Sequence, residues 1–310
     1  MTAGPSVLEV RGLGKDYGTR TAVRALDLDI AEGELFGLLG PNGAGKTTAI
    51  SMICGVITPS RGSARIAGHD TRNAAFAARL AVGLVPQDLA LYEELTAREN
   101  LAFFGATYDL AGAALRTRID WALGVAGLGD RGRDRVDTFS GGMKRRLNIA
   151  AGILHQPRLL VLDEPTVGVD PQSRNHIFEC IRALQRDHGM TLVYTSHYME
   201  EVQALCTRIA IMDHGDVVAS GSLDELIATH ADGALEMEFD GDATAVMAAL
   251  TSHGEPSLHG GRARVVPRGR IGDAIRAVED TGAVVRRVRT RDADLETVFL
   301  TLTGHRLRDD

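Results

Sequence analysis

The sequence predicts an α/β protein built on a largely parallel sheet covered on both faces, followed by a small α+β module. Three observations predict it. Up to Gly221, short apolar runs ending in Gly, Pro or Asp alternate with segments of helical period. From about Asp88 to Arg135 strand signals give way to apolar positions three and four apart, the mark of a helical insertion. From Ala234 a second, shorter series of strands and helices begins.

Taken in order, VLEVRGL (7–13) reads as the first strand, a polar turn follows from Gly14 to Arg20, and a second strand lies near Ala25 to Ile30. ELFGLLG (34–40) is an apolar run stopped by glycine, hence a buried strand. Residues 46–56 follow as a helix with Ile50, Ile53 and Cys54 on one side. SRGSARIAGHD (60–70) reads as a turn and an edge strand, and AVGLVPQ (81–87) as a buried strand closed by proline, which lacks the N–H a ladder needs. LTARENLAFFGATYD and AALRTRIDWALGVAGL supply the inserted helices. LLVLD (159–163), TLVYTS (191–196), RIAIMD (208–213) and DVVASG (216–221) return to strand, with the helix SRNHIFECIRALQRD between the first two.

In the second module LEMEFD (235–240), ARVVP (263–267) and VVRRVRTR (284–291) read as strands. ATAVMAALTS (243–252), IGDAIRAVEDTG ending at Gly282, and a last helix with Leu295, Val298, Phe299 and Leu302 read as helices. The organisation expected is one domain over 1–232, with its helical part at about 88–156, and a small domain over 233–310.

Composition narrows the function classes. The 310 residues, 44% hydrophobic and 24% charged, suffice for one large core with a satellite. A net charge of -7 argues against broad nucleic-acid affinity, so no nucleic-acid partner is expected. Cys54, Cys180 and Cys206 have neither paired nor metal-like spacing, as befits reduced, buried thiols, and no covalently attached metal or redox cofactor is expected. No segment approaches the roughly 20 apolar residues of a membrane-spanning helix, and MTAGPSVLEV lacks a basic stretch followed by an apolar run. The expectation is a cytoplasmic chain whose membrane role comes through a partner.

The chemistry concentrates at strand ends. GPNGAGKTT (40–48) fills the pattern G-x-x-x-x-G-K-[ST] between a buried strand and a helix. Gly40, Gly43 and Gly45 let the loop, which also holds Pro41, Asn42 and Ala44 and runs into Thr48, fold closely around phosphate oxygens, with successive backbone N–H groups and the helix N-terminus as donors. Lys46 is expected at the β- and γ-phosphates of ATP and the Thr47 hydroxyl on Mg²⁺. LLVLDEP ends in Asp163, placed as a second Mg²⁺ ligand, and Glu164, which can orient or deprotonate an attacking water. Gln87 ends a strand and can reach Mg²⁺ or that water; His197 ends another and can bond the γ-phosphate. Ligands bind at the carboxyl ends of such strands, which favours function for both. FSGGMKRRLNIAAGIL (139–154) offers a second phosphate-directed helix start at Ser140, Gly141 and Gly142. One nucleotide needs one phosphate loop. Either this is a simple capped helix, or it meets the nucleotide of another molecule.

With these motifs in this order, residues 7 to about 230 resemble the nucleotide-binding subunit of an ABC transporter, and within that family the daunorubicin-resistance-type exporter branch, whose permeases are separate chains. The resemblance implies a P-loop NTPase fold of the ABC ATPase type with an antiparallel β subdomain and a helical insertion. It implies ATP hydrolysis in a homodimer closed through its nucleotide sites, permease subunits as multi-span membrane partners, a peripheral location on the cytoplasmic face, and multidrug export as a theme. By residue it implies Tyr17 on adenine, Gly40 to Thr48 on the phosphates, Gln87 linking Mg²⁺ to the permease-contacting region, and Ser140 and Gly142 on the partner's γ-phosphate. It further implies Asp163 at Mg²⁺, Glu164 as catalytic carboxylate, Asp170 in the loop communicating across the dimer, and His197 at the γ-phosphate. The alternative for Tyr17, less favoured, is a tyrosine packed at a strand edge. Two departures stand out: Met143 replaces the usual glutamine after the signature glycines, and Val167, Gly168 and Val169 replace the usual serine, alanine and leucine. ADLETVFLTLTG (293–304) is similar to the terminal helix of that branch's accessory domain, suited to dimerisation, docking or regulation. The run RRVRTR fits an anionic surface or simply a solvated strand. The rival function is a soluble ATP switch of the same superfamily acting on nucleic acid or ribosomes.

Overall fold

The computed structural model describes residues 6–230, 234–290 and 294–304. The chain divides into two compact units, the larger ending at Ser222 and the smaller beginning at Leu223. The boundary expected between residues 232 and 233 lies outside the described residues.

In the larger unit β1 (Ser6–Tyr17) and β2 (Arg20–Ala31) form a long antiparallel hairpin. The turn expected from Gly14 to Arg20 is strand as far as Tyr17. The ladder continues through Lys15↔Val23, Asp16↔Thr21 and Tyr17↔Arg20, and register shifts between Val10 and Asp16 absorb the extra residues that mimic a turn. β3 (Leu35–Leu39) is buried at every position and leads into α1 (Lys46–Ile53). β4 (Arg61–Ile66) pairs with both β1 and β5 (His69–Asp70), so the two-residue β5, rather than β4, is the edge of this antiparallel sheet. α2 (Ala75–Ala81), absent from the sequence expectation, precedes β6 (Val82–Val85), and Pro86 follows the strand as expected.

The helical insertion consists of α3 (Ala97–Ala106) and α4 (Gly112–Val125), packed on α5 (Gly141–Ile153). Thr96 caps α3 and Glu99 returns the bond to the Thr96 N–H, a reciprocal pair that satisfies two otherwise free donors. The remaining elements of this unit are β7 (Leu159–Asp163), α6 (Pro171–His188), β8 (Thr191–Ser196), α7 (Met199–Leu205), β9 (Arg208–Asp213) and β10 (Asp216–Ser222). The second sheet runs β10-β9-β3-β8-β7-β6 and is parallel except for β10. β7 and β8 are buried throughout, and each apolar side chain there contributes roughly 1.5–3 kcal/mol. This is the rigid base on which the carboxyl ends of β3, β7 and β8 present polar groups.

All three cysteines are free and buried, and burial pushes the Cys54 and Cys180 thiols up to about 12, which removes them as nucleophiles. His155 pins the insertion to the sheet: its ring stacks on Tyr108 at 3.8 Å and its Nε2 lies 2.9 Å from the Val82 carbonyl. Burial lowers its pKa, so folding favours the neutral ring. A depressed histidine pKa means that the unfolded chain binds the proton more readily; this stability is present above the unfolded value and declines as pH falls below about 6.5. We expect the melting temperature to drop on acidification through that range, and His155→Phe, which keeps the stacking, to flatten the drop.

In the smaller unit α8 (Leu223–His230) packs with the terminal helix; β11 (Leu235–Asp240), α9 (Ala243–Leu250), β12 (Ser257–His259), β13 (Arg262–Val265), α10 (Ile271–Glu279), β14 (Val284–Thr290) and α11 (Leu295–Thr303) complete it. The antiparallel order is β12-β13-β11-β14. Register places Arg287 opposite Glu238 and Arg289 opposite Glu236, with Arg262 and Arg264 across the same two glutamates. The basic run is thus the outer column of two Arg-Glu-Arg rows on an exposed face, stabilised by cross-strand pairing. Arg291 and Ala293, predicted within the last strand and the terminal segment, lie outside the described residues.

Candidate functional site

The loop between β3 and α1 turns sharply because Gly43 and Gly45 take φ of 80° and 105°. At Gly45 a Cβ would stand 2.6 Å from the Ala22 carbonyl oxygen, so the loop presses directly on β2. No side chain caps the start of α1. Its first N–H groups therefore remain as donors at the positive end of the helix, an arrangement suited to phosphate. They face a cleft of about 390 Å³ lined by Asn42, Gly43, Gly45, Lys46, Thr47, Thr48, Gln87 and Glu164, together with Arg20, Thr21, Ala22 and His214.

Lys46 is 4% exposed and donates to the Gly40 carbonyl at 2.7 Å and the Pro41 carbonyl at 3.2 Å. Its Nζ also lies 3.1 Å from Glu164 Oε1. Glu164 Oε2 is 3.1 Å from His197 Nδ1, so one buried carboxylate joins the two groups expected at the γ-phosphate. The Glu164 backbone has φ of 46°, a left-handed conformation unfavourable for a residue with a side chain. Thr195 holds it there: the Glu164 N–H donates to Thr195 Oγ1 at 2.9 Å, and that hydroxyl donates to Asp163 Oδ1 at 2.8 Å. Adjacent strands β7 and β8 are thereby locked at the end that carries the carboxylates.

The chain brings together Gly40 to Thr48, Gln87 and Glu164 in or around the cleft, with Asp163 and His197 tied to Glu164 and its neighbours. Tyr17 lies apart from the lining, 51% exposed, with the Lys15 ammonium 5.2 Å from its ring centroid. Ser140, Gly141 and Gly142 are likewise absent from the cleft. Ser140 is exposed and caps α5, accepting the Met143 N–H at 3.3 Å. Gly142 is required by packing: a Cβ there would meet the Ser173 side chain at 2.4 Å. Asp170 caps α6 through the Ser173 N–H at 2.9 Å, and the bonds from Ser173 hold its carboxyl below the usual range.

Several residues of the site escape sequence reasoning. Arg20, Thr21, Ala22 and His214 come from the hairpin and from the loop after β9, which carry no phosphate motif. Arg145, buried in α5, donates to the carbonyls of Gln87 and Val167 and so links three of the predicted motif segments. The one available signal was its place one turn into the helix that Ser140 caps.

The donor chemistry fits Mg²⁺. Thr47 supplies a hydroxyl, Gln87 an amide and Asp163, 4% exposed, a carboxylate oriented by Thr195. Such hard oxygen donors suit an ion that keeps much of its shell as water and phosphate oxygen. Among the described residues no group of three or more His, Cys, Asp or Glu offers an all-protein metal cage.

Comparison with known proteins agrees with this geometry. A family profile described as ABC transporter matches residues 23–167. The chain is 39% identical to the linearmycin resistance ATP-binding protein LnrL of Bacillus subtilis (strain 168), over 98% of this chain and 100% of that one. It is 37% identical to the daunorubicin resistance ATP-binding protein DrrA3 of Streptomyces coeruleorubidus, over 96% of each. Among solved structures it resembles cbiO1 of Clostridium perfringens, part of the cbiONQ transporter complex, with a TM-score of 0.66 and 28% identity over 72% of this chain and 91% of that one. It also resembles the ATP-binding cassette MJ0796, solved as a post-hydrolysis dimer with ADP and phosphate, with a TM-score of 0.63 and 25% identity over 70% and 98%.

Proposed function

This chain belongs to the ATP-binding proteins of ABC transporters, and we propose that it is the ATP-hydrolysing subunit of an exporter, working as a dimer that completes each nucleotide site from both copies. The observation that carries the reading is the split between its two phosphate-directed helix starts. α1 opens on the cleft with Lys46 and Glu164, whereas α5 presents Ser140 to solvent away from that cleft. A similar cassette forms a dimer with ADP and phosphate, which supports the same arrangement here.

The reaction is ATP plus water to ADP and phosphate, with in-line attack on the γ-phosphorus. Lys46 and the N–H groups of the phosphate loop neutralise charge on the phosphates, Lys46 exchanging Glu164 for phosphate oxygen as ATP enters. Glu164 then accepts a proton from the attacking water, and His197 steadies that carboxylate and the γ-phosphate. Thr47, Asp163 and Gln87 would hold Mg²⁺, which when bound withdraws charge from the β- and γ-phosphate oxygens. On this reading Asp170 and Val167 would face the second copy, and Tyr17 would reach the adenine from the hairpin.

Export is supported by the relatives, some named for linearmycin or daunorubicin resistance and others for Nod factor export. Among the described residues no helix is long and apolar enough to cross a membrane; on this reading separate permease chains move the cargo. Tyr92, a few residues after Gln87, and Phe103 are both exposed and meet edge-on at 4.9 Å, and this exposed aromatic pair suits permease docking.

Ser140→Ala tests the division. Binding of ATP by isolated monomers is expected to be unchanged, because Ser140 is outside the monomer's cleft, while turnover of the assembled dimer falls by at least about tenfold through loss of one phosphate contact. A defect in monomer binding alone would overturn the cross-dimer assignment.

A further inference from the structure

The Glu164–His197 pair is held from behind by a carboxylate that belongs to none of the motifs. Glu201 lies on α7, four residues after His197, and is 1% exposed. Its Oε2 accepts three hydroxyls: Ser196 at 2.7 Å, Tyr194 at 2.8 Å and Thr166 at 2.9 Å. Its Oε1 faces Arg174 Nε on α6 at 3.6 Å. A carboxylate is unfavourable in a protein interior unless donors and a cation surround it. Here three hydroxyls bond Oε2, whereas Oε1 makes no hydrogen bond and faces only the Arg174 charge, and each hydroxyl donor comes from a segment next to the site.

The donors flank both members of the pair. Thr166 follows Glu164 by two residues, and Ser196 immediately precedes His197. The Ser196 hydroxyl also accepts the Tyr198 N–H at 2.9 Å, so the backbone on either side of His197 closes on one oxygen that Glu201 orients. Arg174 adds a second path, its guanidinium 5.8 Å from the centre of the Tyr198 ring, which in turn packs on His197 at 4.1 Å. Glu164 itself sits in a left-handed conformation, fixed at its N–H by Thr195 and just beyond by the Thr166 bond to Glu201. Releasing Glu201 would free the backbone behind both groups at once.

We propose that Glu201 is a positioning residue for ATP hydrolysis, holding Glu164 on β7 and His197 after β8 in register by gathering Thr166, Tyr194, Ser196 and Arg174. The inference rests on the reading that Glu164 and His197 act on the attacking water and the γ-phosphate. Glu201 touches neither. Its loss therefore acts on the chemical step rather than on the capture of ATP.

The test uses the full chain with Glu201→Gln, which preserves volume but removes the charge facing Arg174 and brings an NH₂ into a place where donors converge. Turnover is expected to fall by about tenfold to a hundredfold through misplacement of the pair, with the KM for ATP changed by less than about twofold. Tyr194→Phe and Thr166→Val each remove one donor while Glu201 keeps its other two hydroxyls and Arg174, and each is expected to lower kcat by a smaller factor in a chain that still folds. These two variants decide the matter if Glu201→Gln does not fold: wild-type kcat in both overturns the proposal. Glu164→Gln is assayed alongside. Retained turnover there sinks the reading of the pair itself, whereas loss of turnover there with wild-type kcat, or a change in KM alone, in folded Glu201→Gln overturns only the positioning role.

Discussion

Glu164→Gln is expected to cut ATP turnover by about 10²- to 10⁴-fold, the range that a positioned proton acceptor contributes, while ATP still binds. Glutamine fills the same volume and can still meet His197 and Lys46, each 3.1 Å from the carboxylate in the wild-type chain. It cannot take a proton from water. Removing the negative charge also frees Lys46, a buried cation, for phosphate, so the variant is expected to hold ATP at least as well as wild type and to accumulate closed dimers. Single-turnover kinetics with size analysis in ATP and Mg²⁺ measures both consequences; unchanged turnover would remove Glu164 from the chemistry.

Lys46→Ala is expected to act one step earlier. Hydrogen bonds to charged groups are worth about 1.5–3 kcal/mol, so losing the Lys46 contact to phosphate should weaken ATP binding by about ten- to a hundredfold. A second cost arises in the absence of nucleotide: Glu164, 6% exposed, keeps only His197 opposite its carboxylate. The variant is therefore expected to melt at a lower temperature as well, because a buried charge that loses its partner is poorly tolerated. Titration calorimetry with ATP and a thermal melt measure the two effects, and wild-type affinity would contradict the role of the phosphate loop lysine.

The sequence was most informative where burial is uninterrupted. β3, β7 and β8 are apolar runs buried along their whole length, and the residues that follow them carry the chemistry at fixed offsets. Short elements were opaque. α7 has seven residues and β12 three, too few for a period to show. The β1–β2 hairpin misled because Gly14 looks like turn punctuation, whereas the register shifts of β1 absorb it within a continuous strand.

The site divides along similar lines. Lys46 announces itself by the glycine-rich loop before it, and Asp163, Glu164 and His197 by residue type at a strand end. Glu201 does not: Glu200 beside it has the same chemistry, yet Glu200 is exposed and Glu201 buried among hydroxyls, a distinction made by how α7 packs. Thr195 and Arg145 are hidden for the same reason, since their roles lie in backbone and carboxylate partners supplied by distant segments.

The central claim is that each ATP is hydrolysed between two copies, and mixing two defective variants tests it most directly. Lys46→Ala and Ser140→Ala chains are each purified, shown to be defective alone, then combined in equal amounts with ATP and Mg²⁺. In a symmetric dimer with shared sites, half of the randomly formed pairs contain one site with both Lys46 and Ser140 intact, so activity should return to about a quarter of wild type. If each site were built from a single chain, no pairing could restore it, and a mixture no more active than its parts would contradict the account.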